Sequence, residues 1–266
     1  MTKHGQRRQL KRVAAPKLFP IPRKVGGRFT IKPMPGPHPA DRSIPLGIIL
    51  RDILGYARTL REIKKILNRK LVKIDGRIIT EYKFPVGIMD IIEIPEEELY
   101  LRVMPYRRKL VLYEIPKEEA NIKILKIINK RYVKGGNIQL NLFDGRNILF
   151  RPKDDKERRE ILTKYKVGDS IMITVPDQKI LDHIPLELEN YAMVILGRHM
   201  GEHGLLKGIH KMFGARASTV SIQDQKGGEI ITALDYVYMI GKDRPLISLP
   251  TEEGVRRIAE RKPIRL

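Results

Sequence analysis

Cysteine and tryptophan are both absent from the 266 residues. Without cysteine there are no disulfides, no thiolate metal sites and no cysteine nucleophile. Aromatic residues make up only 6% of the chain. Long apolar runs are missing as well: Ile44 to Leu50 carries Pro45 and Gly47 and stops at Arg51, far short of the roughly 20 residues of a spanning helix. Met1 to Phe19 is basic and has no apolar h-region, so no secretory signal is read there. No G-x-x-x-x-G-K-[ST], no G-x-G-x-x-G between strand and helix and no G-x-S-x-G occurs. Acidic side chains are scarce beside basic ones, 31 Asp+Glu against 52 Lys+Arg. The carboxylate pairs that do occur (Asp154/Asp155, Glu252/Glu253, Glu96 to Glu98) lie in charged runs that read as solvated surface. A soluble, cytoplasmic protein with no catalytic constellation and no cofactor is expected.

What is present is positive charge, +21 at neutral pH, on a chain 42% hydrophobic and 31% charged. Self-repulsion of that size calls for a polyanionic partner, and nucleic acid is the usual one, since each phosphate neutralised releases counterions. The charge is unevenly placed. Residues 1–44 hold eleven Lys/Arg and one acid, Asp41, together with seven prolines. Such a stretch builds no long helix. With few apolar residues to bury, it reads as an arm without a core of its own that orders against a partner. Arg7, Arg8, Lys11, Arg12 and Lys17 are its candidate RNA contacts.

Ser43 could cap a first helix that takes Pro45 in its opening turn, with Leu46, Ile49, Leu50, Ile53, Leu54 and Ala57 at helical spacing. Thr59-Leu60-Arg61-Glu62 is a capping box. It opens a second helix with Leu60, Ile63, Ile66 and Leu67 on the buried stripe and Arg61, Lys64, Lys65 and Asn68 opposite. Six of the thirteen residues from Arg58 to Lys70 are basic and one is acidic. Solvated helix faces normally mix both signs, so Arg58, Arg61, Lys64, Lys65, Arg69 and Lys70 are read as phosphate-facing. Val72-Lys73-Ile74, a turn at Asp75-Gly76 and Arg77-Ile78-Ile79 form a hairpin.

Leu54-Gly55-Tyr56-Ala57-Arg58-Thr59, then Glu62, Lys64 and Lys65, then Val72 to Gly76 and Gly87 to Ile92, resemble the S-four RNA-binding domain. That resemblance implies two antiparallel helices on a small bent sheet, with the second helix and the adjacent strand, which carries Lys73, facing structured RNA. From Leu99 onward, short strands with regular turn signals fit a meander or small barrel. Asn190 to Leu206 resembles a KOW motif, a strand–loop–strand piece of an SH3-like barrel. There Gly197, Gly201 and Gly204 would permit positive φ and bring backbone N–H groups to phosphates, with Arg198 supplying charge. His199-Met200-Gly201-Glu202-His203 also matches H-x-x-E-H, a zinc-peptidase pattern. It requires a helix that the glycines disfavour, so no metal site is assigned.

Leu10 to Lys17, Gly36-Pro37-His38, Ile44-Pro45-Leu46, Phe84 to Asp90 and Arg244 to Pro250 resemble the S-four-e family of small-ribosomal-subunit proteins. The likeness runs nearly end to end. It implies an α+β, mostly β, ribonucleoprotein component of the ribosome in the cytoplasm, bound to small-subunit ribosomal RNA and neighbouring ribosomal proteins. No membrane and no small-molecule substrate are implied. The expected division is a basic Pro-rich arm (1–42), an S-four-like RNA-binding domain (43–105), a central β domain (106–176), a KOW/SH3-like barrel (177–241) and a C-terminal tail (242–266). The competing readings are an RNA-modifying enzyme and a KOW-type transcription or assembly factor using the same RNA-binding module.

Overall fold

The computed structural model describes residues 9–24, 27–212, 217–224 and 227–260. The chain is α+β and mostly β. It opens with a two-stranded ribbon of β1 (Leu10–Lys11) and β2 (Phe29–Thr30). β3 (Ser43–Pro45) runs directly into α1 (Leu46–Ile48), and α2 spans Leu60–Asn68. The strands β4 (Lys73–Ile74), β5 (Arg77–Ile78), β6 (Pro85–Gly87), β7 (Ile91–Ile94), β8 (Leu99–Tyr106) and β9 (Lys109–Glu114) follow. β6 pairs with β3, and the other five form an antiparallel sheet in the order β5-β4-β7-β8-β9. At the β4–β5 turn Asp75 and Gly76 have φ 50° and 73°, the left-handed pair that a tight hairpin needs. The β8–β9 hairpin runs across position 105/106, so this sheet ends at Glu114.

The second sheet joins β10 (Ile122–Val133), β11 (Asn137–Leu142), β12 (Asn147–Phe150), β13 (Ser170–Thr174) and β14 (Ile180–Ile184) in the order β12-β11-β10-β13-β14. β10 serves two partners, β13 along Ile122–Lys126 and β11 along Ile127–Val133, with a bulge between Ile127 and Asn129 in the second pairing. α3 (Asp155–Lys164) sets Ile161 and Leu162 against Leu125, Leu140 and Ile171 of this sheet's core. The third sheet takes β15 (Tyr191–Val194), β16 (His203–His210), β17 (Thr219–Asp224), β18 (Glu229–Ala233) and β19 (Val237–Gly241) in the order β18-β17-β16-β15-β19. α4 (Glu252–Glu260) returns to pack on β9. Among the described residues no helix is long and apolar enough to cross a membrane.

Three sequence expectations change. Ser43 does not cap a helix: it lies in β3, where its hydroxyl donates to Pro39 O at 2.9 Å and its backbone is in register with Gly87. The first helix is not a regular α-helix. After α1 it widens into a π turn, Ile49–Ile53, with Leu54 N–H donating to Ile49 O, and Gly55 (φ 71°) ends it. The arm, where described, has a core: Ala15, Phe19, Ile21 and Ile31 are buried in the same hydrophobic cluster as α1, α2 and the third sheet. Burying an apolar side chain of that size stabilises by about 1.5–3 kcal/mol, enough to hold a Pro-rich segment down.

A buried ionic cluster joins these parts. Lys123, on β10 and fully buried, places its ammonium 2.7 Å from Asp75, 2.6 Å from Asp90 and 3.1 Å from Asp144. Arg146 bridges Asp75 and Asp144 at 2.6 and 2.8 Å, and His38 of the arm lies 3.0 Å from Asp90. Burial alone would push the Lys123 ammonium pKa down, but the three carboxylates raise it further, so it stays charged. For Asp90, burial pushes the carboxyl up, and His38 and Lys123 more than reverse that. Lys126, also on β10, donates to Leu234 O, Asp235 O and Val237 O, and Tyr238 on β19 donates to Ile124 O. Those contacts fix the third sheet to the second.

Candidate nucleic-acid interface

Local sequence sets the start of α2. Glu62 N–H donates to Thr59 Oγ1 at 3.3 Å, while Arg58 N–H and Thr59 N–H donate to Glu62 Oε2 at 2.8 and 3.4 Å. The Arg58 N–H, followed by the Thr59 hydroxyl, holds the Glu62 carboxyl below its usual value. The single acid between Arg58 and Lys70 is therefore engaged by the cap.

Ile63, Ile66 and Leu67 face the core and leave Arg61, Lys64, Lys65 and Asn68 exposed. Leu60, expected on the buried stripe, is 37% exposed because it sits at the first helical position, beyond the reach of the core. Arg58 before the helix and Arg69 and Lys70 after it are exposed too, and Lys70 ends the helix at φ 62°. None of these six bases makes a salt bridge with a described carboxylate, although the Arg58 charge also helps draw the Glu62 carboxyl down. Lys64 Nζ and Lys83 Nζ stand 5.2 and 5.5 Å from the Tyr82 ring centroid, a cation–π arrangement that carries the basic face onto the loop before β6. Tyr82 and Lys83 were not foreseen; an aromatic beside a lysine in a turn was the signal. Lys73 is half-buried opposite Glu93, whose carboxyl burial raises and Lys73 draws down. Part of its charge is thus engaged.

The arm divides by role. Lys11 and Lys17 are exposed, whereas the Arg12 guanidinium donates to Gly27 O at 3.0 Å and Pro22 O at 3.1 Å. Arg23 donates to Val13 O, Ala15 O and Pro16 O. Both arginines stitch the arm to itself. Arg7 and Arg8 lie outside the described residues.

In the loop between β15 and β16, Gly197 (φ 87°) and Arg198 are exposed, and Arg108 Nε donates to Arg198 O at 2.9 Å. Gly201 N–H donates to Val194 O at 2.8 Å, and a Cβ on Gly201 would meet Tyr106 Cα at 2.7 Å. A Cβ on Gly204 would meet Gln223 O at 1.9 Å. Within the chain, these two glycines permit close backbone approach. Residues 199–203 form a turn leading into β16, not a helix. His199 Nδ1 lies 2.7 Å from Glu202 Oε2, and His203 Nδ1 lies 2.8 Å from the Tyr191 hydroxyl. The two histidines of the H-x-x-E-H pattern thus have separate partners and share no helical face.

The face around α2 therefore presents ammonium and guanidinium donors at the spacing of one helix, next to an aromatic ring. Donors so arranged can bind phosphates. Relatives from Aeropyrum pernix, Staphylothermus marinus and Ignicoccus hospitalis, each named small ribosomal subunit protein eS4, are 44%, 45% and 47% identical. Those alignments cover 94%, 94% and 92% of this chain and 98%, 98% and 96% of the relatives. The chain belongs to the small ribosomal subunit protein eS4 family. Family models match in three places: the RS4NT domain at 4–41, the S4 domain at 48–92, which contains α2, and Ribosomal family S4e at 96–180. The crystal structure of the 30S ribosomal protein S4e from Thermoplasma acidophilum is similar, with TM-score 0.61 and 35% identity, covering 76% of this chain and 96% of that one.

Proposed function

We propose that this eS4-family chain is a non-enzymatic, structural constituent of the small ribosomal subunit in the cytoplasm. It binds small-subunit ribosomal RNA and touches neighbouring ribosomal proteins. One observation carries the reading: six exposed bases surround α2 and none is paired with a described carboxylate, while the only acid of that segment is held in the helix cap. Such a face gains free energy on meeting phosphates and costs repulsion when left alone.

Arg58, Arg61, Lys64, Lys65, Arg69 and Lys70 make the principal contact, extended by Lys73, Lys83 and Tyr82. Lys11 and Lys17 add contacts along the arm, with Arg7 and Arg8 beyond it. The β15–β16 hairpin acts as a KOW-type element, with Gly197 and Arg198 at its accessible tip. In this reading the chain comprises an arm, an RNA-binding module continuing through β9, a central β unit, a C-terminal barrel and a tail. Contacts are mainly to the sugar–phosphate backbone, so they position the protein and read RNA shape.

The test is binding of the full chain to small-subunit ribosomal RNA over a range of salt. Reversing Arg61, Lys64 and Lys65 to Glu should weaken binding at least a hundredfold at moderate salt and shrink the slope of log K against log salt by about three. An unchanged slope would remove α2 from the interface.

A further inference from the structure

The outward face of the β12-β11-β10 sheet is unusual for a solvated surface. Strand register sets Asn129, Asn141 and Asn147 side by side across β10, β11 and β12. The next outward row is Arg131, Gln139 and Leu149. The intervening rows point inward, with Leu140 and Ile138 fully buried in the core beneath α3. Asparagine is disfavoured in strands, yet three stand abreast here. Gln139 Nε2 donates to Asn141 Oδ1 at 3.1 Å, so the two amides are oriented by each other.

The charge on this face is one-sided. From Ile128 to Lys153 there are six bases (Lys130, Arg131, Lys134, Arg146, Arg151, Lys153) and one acid, Asp144. Asp144 is buried and bound to Lys123 and Arg146. Lys130 donates to Leu162 O and Tyr165 O and is also engaged. Arg131, Lys134, Arg151 and Lys153 remain exposed, and no exposed carboxylate comes from these strands or their connecting turns. In the outward row Leu149 is 45% exposed, whereas Tyr132 lies in the inward row beside Ile138.

We propose that this sheet face is a second RNA-binding surface, which takes the ribose and minor-groove side of a folded RNA helix. It rests on the reading that the chain binds ribosomal RNA. The complementarity is chemical. The RNA minor groove is shallow and displays 2′-hydroxyls and base edges that both donate and accept. A flat row of amides, each carrying donors and acceptors, matches it without charge. Arg131, Lys134 and Arg151 meet the flanking phosphates, and Leu149 covers ribose carbons. A protein partner would be met more readily by an apolar centre than by a row of amides. The surface lies on β10 to β12, apart from α2 in sequence and in sheet, so the chain would bridge two RNA segments.

The experiment uses the full chain and small-subunit ribosomal RNA. In the exposed-residue variant Arg131→Glu with Asn147→Asp, the dissociation constant should rise about tenfold or more, and the salt slope should fall by about one. Its thermal midpoint should match that of the wild type. Ultraviolet cross-linking of the unaltered chain on RNA gives a readout independent of any variant, and should leave a nucleotide within residues 147–151, which carry Asn147, Leu149 and Arg151. Wild-type binding that is lost on reversing Arg61, Lys64 and Lys65 but unchanged by Arg131→Glu with Asn147→Asp, with no cross-link within residues 147–151, overturns this inference and leaves the proposed function intact. If the wild type ignores the RNA, the proposed function falls first. Cross-links from residues 147–151 to a ribosomal protein in purified subunits, in place of RNA, also overturn it.

Discussion

Lys123 and Lys126 are three residues apart on β10 and both are buried, yet their surroundings treat their charges in opposite ways. Three carboxylates within 3.1 Å enclose Lys123, whereas Lys126 has only carbonyl oxygens, from Leu234, Asp235 and Val237. Replacing Lys123 by Met removes the cation and leaves Asp75, Asp90 and Asp144 facing one another. Breaking a buried ionic group in this way costs about 3–5 kcal/mol, which denaturant unfolding of Lys123→Met should show as a lower midpoint. Lys126 gives a pH signature. Burial, only partly opposed by Asp235, pushes its pKa down to about 8. The unfolded chain keeps that proton up to roughly pH 10.4. Between those values the unfolded state binds more protons, so this group's contribution makes stability rise with pH. Wild type minus Lys126→Met should show that rise between about pH 8 and 10 in thermal melts.

At the scale of the element, legibility depends on how local the causes are. The α2 capping box and the Asp75-Gly76 turn were readable because hydrogen bonds and φ values are fixed within four residues. The first helix was not: helical spacing of Leu46, Ile49, Leu50 and Ile53 suits an α-helix, and nothing in the spacing marks the π turn that burial of this segment accompanies. The β15–β16 loop shows the same limit. Its glycines were legible, but not their neighbours, which come from distant strands. Gly204 has its missing Cβ aimed at Gln223 O on β17. Gly204→Ala must therefore push β16 from β17 and should cost roughly 1–3 kcal/mol of stability, as overpacking does. A phosphate-binding role alone would instead lower RNA affinity with the melting temperature unchanged, so melting and binding measured on one variant separate the two.

At the scale of the molecule, counting charge along the chain points to α2 as the RNA face but overstates how free the arm is. Sequence shows where arginines are, not what they bond. Arg12 and Arg23 donate to carbonyls of the arm itself, and Phe19, Ile21 and Ile31 sit in the main core. His38 reaches Asp90 in the ionic cluster, against Gly87, where even a Cβ would meet the His38 ring at 2.2 Å. The segment that reads as a floppy leader is thus a strap that closes over the RNA-binding module and, through Asp90 and Lys123, touches the central sheet. Removing residues 1–42 would uncover three large apolar side chains' worth of core and leave Asp90 without its imidazole. At about 1.5–3 kcal/mol per buried side chain, a loss of roughly 5 kcal/mol or more follows, comparable with the whole stability of many domains. The truncated chain should show a broadened or absent unfolding transition in calorimetry. If it instead melts as sharply and as high as the full chain, the arm contributes charge alone and the strap has no part in the fold.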